Sequence, residues 1–262
     1  MNSMISEKGK IIPSVLFGTH SRYRSCQWWF RNFLPFSLLI TSLLSSPLLW
    51  AGGVIEGRII YRGNPPAPKQ YGIARDLEVC GTSKWTKDFL VHKDHGIQNV
   101  VVSIEHLKGL KDSVFQHEVV TIRACEFWPY ITLVSTEGSL TFINGDNLIH
   151  QFQAKALREP PKNPTYNLVL TSREPTKQVY LKIPEIIGVT STLRPWMQGY
   201  LYVTDHPFTT LTDGTGTFVF QDVPEGRYHL KAWHEKLGFF SKRVIVKEGE
   251  KTEVKWIVGH DI

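Results

Sequence analysis

Cysteine is scarce in this sequence. The chain has 262 residues and three cysteines, of which Cys26 precedes an apolar run and only Cys80 and Cys125 follow it. Cys26 cannot be a lipoprotein cysteine, because such a cysteine follows the apolar run. Two cysteines in an exported domain suit one disulfide between Cys80 and Cys125. Two free thiols, or a pair that binds a metal, are the alternatives.

The sequence also lacks the common motifs of catalysis and phosphate binding. It contains no G-x-S-x-G nucleophile elbow and no glycine loop that would cradle a phosphate. His234 and Glu235 begin like the helical motif of zinc proteases, but the second histidine four residues on is missing and the pair ends a strand. We therefore expect that the protein is not an enzyme.

Excess charge is confined to the N-terminal segment. The formal net charge is +6, and residues 1–51 contribute +4 through five basic residues and one acid: Lys8, Lys10, Arg22, Arg24, Arg31 and Glu7. Only about +2 remains for the rest of the chain, so we expect no surface for nucleic acid.

An apolar run at residues 33–51, FLPFSLLITSLLSSPLLWA, contains no charge and follows the basic segment. This order is typical of a secretory signal, with Ala51 before the cleavage point. An uncleaved membrane anchor at 33–50 is the alternative, since about 18 apolar residues can just span a bilayer. In both cases we expect residues 52–262 to be exported to the periplasm or the extracellular space, with membrane contact only through an uncleaved segment.

What the exported part does contain is a series of short β-branched segments. Examples are VIEGRIIY (54–61), NVVVSIEH (99–106), ITLVS (131–135) and GYLYVT (199–204), with turn signals such as STEG and NGDN between such segments. No window of twelve or more residues has a convincing helical period. Many short strands at this spacing predict an all-β sandwich or barrel.

The C-terminal stretch TDGTGTFVFQDVPEGRYHLKAWH (212–234) has tight turns at Asp213-Gly214 and Pro224-Glu225-Gly226, followed by alternating strands. It resembles the carboxypeptidase regulatory-like, or transthyretin-like, sandwich. That fold normally opens with two strands like those at 53–106, which lie about 100 residues upstream here. The resemblance implies a split domain, 53–112 plus 205–258, with a second domain inserted at 113–204.

The inserted segment resembles a cupredoxin, because ITLVSTEGSLTFINGDNLIHQFQA (131–154) has a strand that ends in Asn with a His a few residues on. The whole exported chain is similar to the bacterial methylamine utilisation protein, or plastocyanin-like, family. The matching signals are PAPK (66–69), CG (80–81), NVVV (99–102), CEFWPY (125–130), PWM (195–197), VTDHPF (203–208) and WHEKLG (233–238).

This resemblance places His150 at the first copper ligand and loop 191–197 at the others. The family carries Cys and His where this chain has Ser191 and Arg194, and a second His where it has Gln153. Serine is a poor ligand for a soft metal, and the arginine guanidinium stays protonated. We therefore expect a degenerate copper site with His150 and Met197 as remnants, and no bound cofactor. His150 and Met197 holding Cu(I) is the alternative.

The function expected from these observations is that of a non-catalytic accessory or interaction module, derived from a cupredoxin. Its partner would be an unidentified protein, such as a component of a membrane or periplasmic complex. Two alternatives remain, a Cu(I) storage or transfer protein and a carbohydrate-binding module. For the last, a sugar-stacking face would come from Trp85, Trp128, Trp196 and Trp233. We further expect Asp205, His206 and Glu235 to join the two sandwiches through hydrogen bonds.

Overall fold

The computed structural model describes residues 52–105 and 115–259, and this part of the chain is almost entirely β-structure. It contains one short helix, α1 (Leu77–Cys80), and eighteen strands. The strands are β1 (Gly53–Tyr61), β2 (Gln70–Gly72), β3 (Ser83–Trp85), β4 (Val101–Glu105), β5 (His117–Arg123), β6 (Glu126–Trp128), β7 (Ile131–Ser135), β8 (Ser139–Asn144), β9 (His150–Ala156), β10 (Tyr166–Leu170), β11 (Thr176–Tyr180), β12 (Ile186–Ser191), β13 (Gln198–Thr204), β14 (Thr209–Leu211), β15 (Thr217–Val223), β16 (Gly226–His234), β17 (Gly238–Val246) and β18 (Lys251–Val258).

The first and last strands belong to one sandwich, which we call the outer sandwich. One of its sheets has the order β15-β1-β18 and the other the order β14-β4-β16-β17. β1 runs antiparallel to β15 and parallel to β18. Alternate residues of β1 are buried, as expected for a strand with one face on a core. Ile55, Ile59, Phe218 and Leu230 fill this core together with neighbouring aliphatic and aromatic side chains.

The middle of the chain forms a second sandwich, which we call the inserted sandwich. Its sheets have the orders β10-β9-β12-β13-β7 and β11-β8-β5-β6. Phe142, Phe152, Leu140 and Met197 are among the fully buried side chains of its core. The aromatic rings of Phe142 and Phe152 pack with their centroids 4.9 Å apart.

The two sandwiches share a small third core. All five residues of β7 are buried, because its two faces meet different neighbours. Val134 lies in the core of the inserted sandwich, while Ile131 and Leu133 cluster with Val101 of β4 and Trp233 of β16. β7 therefore packs the inserted sandwich against the outer one.

The predicted all-β fold is confirmed, and strand pairing joins the segments before and after the insertion in one sandwich. The sequence patterns missed several strands, among them β9, in which glutamine and lysine alternate with small alanines, and β12, IIGVTS. The predicted leader at 1–51 lies outside the described residues. Within the described residues, no helix is long and apolar enough to cross a membrane.

Candidate functional site

The residues at the positions of copper ligands come together at one end of the inserted sandwich. His150 opens β9, and Ser191 ends β12 and pairs with Phe152 of β9 in the ladder. After Ser191 the chain makes a tight loop, in which the Ser191 amide donates to the Met197 carbonyl (3.1 Å) and the Met197 amide donates to the Arg194 carbonyl (2.9 Å). The loop geometry thus holds all four positions near the same sheet end.

The Ser191 hydroxyl forms hydrogen bonds with β9 and with the loop that follows β12. It donates to the Gln151 carbonyl (3.0 Å) and accepts the backbone N–H groups of Leu193 and Arg194 (3.2 Å each). This arrangement is the local capping that serine commonly provides in turns. Ser191 therefore stabilises the loop.

Arg194 is buried, with 7% of its surface exposed, and its charge is paired. Its Nη2 donates to Asp76 Oδ2 at 2.6 Å, and its Nη1 donates to the Ile149 carbonyl at 3.1 Å. Asp76 has a left-handed backbone (φ 57°) and immediately precedes α1. The guanidinium therefore links the loop after β12 to the start of α1 and to the residue before β9.

His150 is completely buried and bonded through one ring nitrogen. Its Nε2 lies 3.0 Å from Asp146 Oδ2, and its Nδ1 has no hydrogen-bond partner in the part of the chain that the structure describes. Burial lowers the pKa of His150, and the Arg194 charge lowers it further, against the opposing effect of Asp146. A carboxylate can only accept, so Nε2 carries the proton of the neutral ring and Nδ1 retains a buried lone pair.

Asp146 also holds the turn between β5 and β6. Its carboxylate accepts the amides of Ala124 (2.6 Å) and Cys125 (2.8 Å). Both residues have positive φ, 49° and 59°, which is the backbone that a two-residue primed hairpin turn requires. Neither residue is glycine, so this backbone conformation is unfavourable, and the two hydrogen bonds that the Asp146 carboxylate accepts help to compensate for it.

The predicted disulfide between Cys80 and Cys125 is confirmed. It joins the end of α1 to this hairpin turn, with a Cα–Cα distance of 5.0 Å, inside the usual range of about 4.4–6.8 Å. The indole Nε1 of Trp196 donates to the Cys125 carbonyl at 3.2 Å. The disulfide, the Arg194–Asp76 pair and Trp196 together tie α1, the hairpin turn and the loop after β12.

The residues present do not fit a blue-copper centre. Such a centre needs a thiolate and two imidazoles around the metal, whereas Ser191 is a loop cap and Arg194 a paired cation. Gln153 is bonded to Asn167 by its amide nitrogen (2.9 Å), on the exposed face of β9. Met197 is buried among the side chains of the inserted core.

A second polar cluster lies between the sandwiches. Tyr130 donates its hydroxyl to Glu235 Oε1 at 2.5 Å. Burial raises the pKa of Glu235. Burial also raises the pKa of Tyr130 well above its usual value, and the nearby charge of Glu235 raises it more. Beside this pair, burial lowers the pKa of His234 to about 4, and Lys236 pairs with Asp88 at 2.8 Å.

Of the residues in this second polar cluster, the sequence predicted only Glu235 as one that joins the two sandwiches. Glu235 does join the sandwiches, but its partner Tyr130 was not anticipated. The backbone carbonyl of His206 accepts from the Thr204 hydroxyl within the same loop, and its Nδ1 finds no partner among the described residues. No sequence signal identified Asp76 or Asp146, although NGDN (144–147) was recognised as a turn.

The four tryptophans considered for sugar stacking do not share one face. Trp85 and Trp128 are exposed, by 54% and 40%. Trp196 is partly buried against the inserted core, and Trp233 is buried between the sandwiches, with its ring 5.5 Å from that of Tyr200. Lys87 and Arg123 lie over the Trp128 ring.

A groove of about 540 Å³ runs along the junction of the sandwiches. Leu157 and Phe239 are more than half exposed beside it. The groove has aromatic and aliphatic walls with two basic residues at its rim, and its lining includes Leu157, Arg158, Tyr202, Lys231, Trp233 and Phe239.

Comparison with known proteins gives partial matches. Residues 189–258 match the family model for the β-sandwich domain of ER membrane protein complex subunit 7. This is roughly a quarter of the chain, from β12 to the end of β18. Comparison with curated protein sequences gives no match.

Among solved structures, the chain is similar to several copper proteins over part of its length. For amicyanin from Paracoccus versutus the identity is 14%, the match covers 39% of this chain and 97% of that one, and the TM-score is 0.30. For plastocyanin from Dryopteris crassirhizoma the identity is 17%, the match covers 33% of this chain and 99% of that one, and the TM-score is 0.30. The copper-containing nitrite reductase from Thermus scotoductus is 13% identical, with 39% of this chain and 25% of that one covered and a TM-score of 0.29.

Proposed function

We propose that this protein is a non-catalytic, exported accessory module that binds a protein partner. The observation that carries this proposal is the Arg194–Asp76 pair, because it places a buried, internally satisfied cation where the resembling copper family has a histidine ligand. The loop that would bind metal in that family acts here as a structural support. The protein needs no cofactor in this role.

The groove between the sandwiches supports the idea of a protein partner. Its walls carry exposed Leu157 and Phe239 next to the aromatic rings of Tyr202 and Trp233. Aromatic residues that border a concave apolar surface are typical of interaction sites. The charged lining residues are Arg158, Glu185 and Lys231, and Lys231 pairs with Glu105 at 3.3 Å, so the apolar residues would supply the main attraction for a partner segment.

Export is part of the same proposal. A disulfide persists in oxidising compartments, the partial match is to a domain of an ER membrane protein complex subunit, and the expected leader precedes the sandwiches. We propose that residues 53–112 with 205–258, and residues 113–204, are two domains. We also propose that the chain belongs with the methylamine utilisation protein-like group.

Site-specific photo-crosslinking in cells tests this function. A photoreactive amino acid replaces Phe239 or Leu157 at the groove, and, as a matched control, Tyr180 or Val169, which are similarly exposed on the inserted sandwich. We expect one discrete crosslinked product from both groove positions and none from the control positions. Equal crosslinking at all four positions, or none at the groove, would refute the proposal.

The Cu(I) alternative has one observation in its favour, the unpartnered Nδ1 of His150. A thioether such as that of Met197 suits Cu(I). If this function holds, the chain with its disulfide intact binds one Cu(I), and both His150→Gln and Met197→Leu abolish the binding.

A further inference from the structure

We propose that reduction of the Cys80–Cys125 disulfide opens a binding site for one zinc ion at the end of the inserted sandwich. The site would be formed by Cys80, Cys125, His150 and Asp146, with Asp146 binding the ion directly if His150 ligates through Nε2 and holding the imidazole from the outer shell if it ligates through Nδ1. This site differs from the copper positions of the resembling family, because it excludes Ser191, Arg194 and Met197. It is also independent of the groove on which the proposed partner binding rests.

The first observation is the proximity of three ligand types. Cys125 Sγ, a carboxylate oxygen of Asp146 and a ring nitrogen of His150 all lie within 4.8 Å of one another. In a tetrahedral zinc site the metal–ligand distances of about 2.0–2.3 Å place neighbouring ligand atoms roughly 3.3–3.8 Å apart. The three groups therefore need to approach by only about 1 Å to hold a common ion.

The second observation is the unsatisfied nitrogen of His150. This side chain is fully buried, and its Nδ1 has no hydrogen-bond partner within residues 52–105 and 115–259. A buried polar atom without a partner costs stability. Metal ligation through Nδ1 would give this atom a partner and leave Asp146 on Nε2 as an outer-shell group. Ligation through Nε2 would replace the hydrogen bond to Asp146 and let Asp146 bind the same ion.

The disulfide itself supplies the remaining ligand. Cys80 Sγ is bonded to Cys125 Sγ in the oxidised chain, so Cys80 lies one bond beyond the cluster and neither sulfur is available to an ion. A dithiol reductant would donate two electrons and two protons to this bond and would itself become a cyclic disulfide. The two thiols would then release their protons as their thiolates bind the ion.

The charges around the cluster are compatible with a divalent cation. Two thiolates and the Asp146 carboxylate carry one more negative charge than zinc neutralises. Arg194 is already paired with Asp76, so the loaded site would keep this single negative charge, which is less than that of a zinc ion held by four thiolates. Thiolate, imidazole and carboxylate are also the three ligand types that zinc takes from proteins.

The test measures zinc binding to the purified full chain. One sample keeps its disulfide, and the other is reduced with a dithiol and then desalted without oxygen. We expect one zinc per reduced chain and at least a 100-fold weaker affinity in the oxidised chain. Cadmium as a second probe should give a thiolate-to-metal absorption band only in the reduced sample. Circular dichroism of each sample confirms that the sandwich fold is kept.

Matched variants identify the ligands. In the reduced chain His150→Gln and Asp146→Asn should each weaken zinc binding, His150→Gln by more than the roughly 100-fold that loss of an outer-shell partner costs. His206→Gln removes another histidine with a buried, unpartnered Nδ1 and should leave binding unchanged, as should Met197→Leu. Cys80→Ser frees Cys125 without reductant and should bind zinc through the remaining three ligands.

Two results would overturn the inference. The first is the absence of stoichiometric zinc in both the reduced chain and the Cys80→Ser variant. The second is zinc that binds equally well after His150→Gln and Asp146→Asn. Neither result bears on the groove, so crosslinking at Phe239 would still decide the proposed function separately.

Discussion

Arg194 Nη2 lies 2.6 Å from Asp76 Oδ2, and this pair joins the loop after β12 to the residue before α1. The two residues are far apart from each other in sequence. The Arg194 side chain is largely shielded from water, whereas the Asp76 side chain is 36% exposed. A buried charge needs a partner and hydrogen bonds to be tolerated. Asp76 and the Ile149 carbonyl satisfy that need, so this ion pair helps to fix the loop.

Arg194→Met should lower the free energy of unfolding by about 2 kcal/mol, because Asp76 and the Ile149 carbonyl lose a charged donor. Asp76→Asn should cost at least as much, because it leaves the buried Arg194 guanidinium without a counter-charge, whereas Asp76 is partly solvated when its partner is lost. Urea unfolding of both single variants and the double variant gives the coupling, which we expect to be about 1 kcal/mol or more. Strictly additive effects would show that the pair does not support the loop.

Removal of the disulfide by Cys80→Ala with Cys125→Ala should lower the free energy of unfolding by roughly 3–4 kcal/mol in the chain-entropy model. The bond closes a loop of 45 residues, and without it the unfolded chain gains conformational freedom. Denaturation in the presence of a metal chelator measures this loss. The reduced wild-type chain is the control, and its free energy of unfolding should fall by a similar amount. If neither the variant nor the reduced chain is less stable, the prediction is wrong.

Stability should fall as the pH drops from about 6.5 towards 4, with His234 as one cause. Burial lowers the pKa of this histidine from 6.5 to about 4. Between those pH values the unfolded chain binds a proton at this residue and the folded chain does not. The free energy of unfolding therefore falls by about 1.4 kcal/mol for each pH unit that the pH drops. The raised pKa of Glu235 acts in the opposite direction, because above about 4.5 the folded chain retains a proton that the unfolded chain releases.

Urea unfolding at a series of pH values tests the role of His234. His234→Gln should flatten the decline between pH 6.5 and 4, while His229→Gln, at an exposed position of the same strand, should not. A decline of the same slope in wild type and His234→Gln would remove this residue as a cause.

The sequence predicted the all-β fold because many of its strands carry their own local signal, whereas the split arrangement was expected only from the resemblance to the transthyretin-like sandwich. β1 and β16 alternate apolar and polar residues, and glycine- and proline-containing turns separate the C-terminal strands. Strands such as β9 were missed because its exposed positions are glutamine and lysine and its buried ones include small alanines. Polar and apolar residues do alternate along this strand, but two of its three apolar positions from Gln151 onward are alanine, which adds little hydrophobicity.

At the candidate site, sequence comparison placed His150, Ser191, Arg194 and Met197, because their spacing resembles that of a known family. Their partners could not be predicted in the same way. Asp76 and Arg194 meet only after α1 is fixed by the disulfide, and Asp146 reaches the turn at Ala124 through the pairing of β5 with β8. Contacts of this kind depend on tertiary packing and leave no local pattern in the sequence.

The central claim is that the loop at 191–197 acts as a structural support and does not form a blue-copper site. The most direct measurement is the copper content and visible spectrum of the purified chain, with its disulfide intact, after incubation with Cu(II) and removal of excess metal. Ser191→Cys with Arg194→His, which restores the ligand types of the resembling family, is the matched comparison. We predict that the wild-type chain retains no stoichiometric copper and shows no intense visible charge-transfer band. One tightly bound copper per wild-type chain with such a band would contradict the claim.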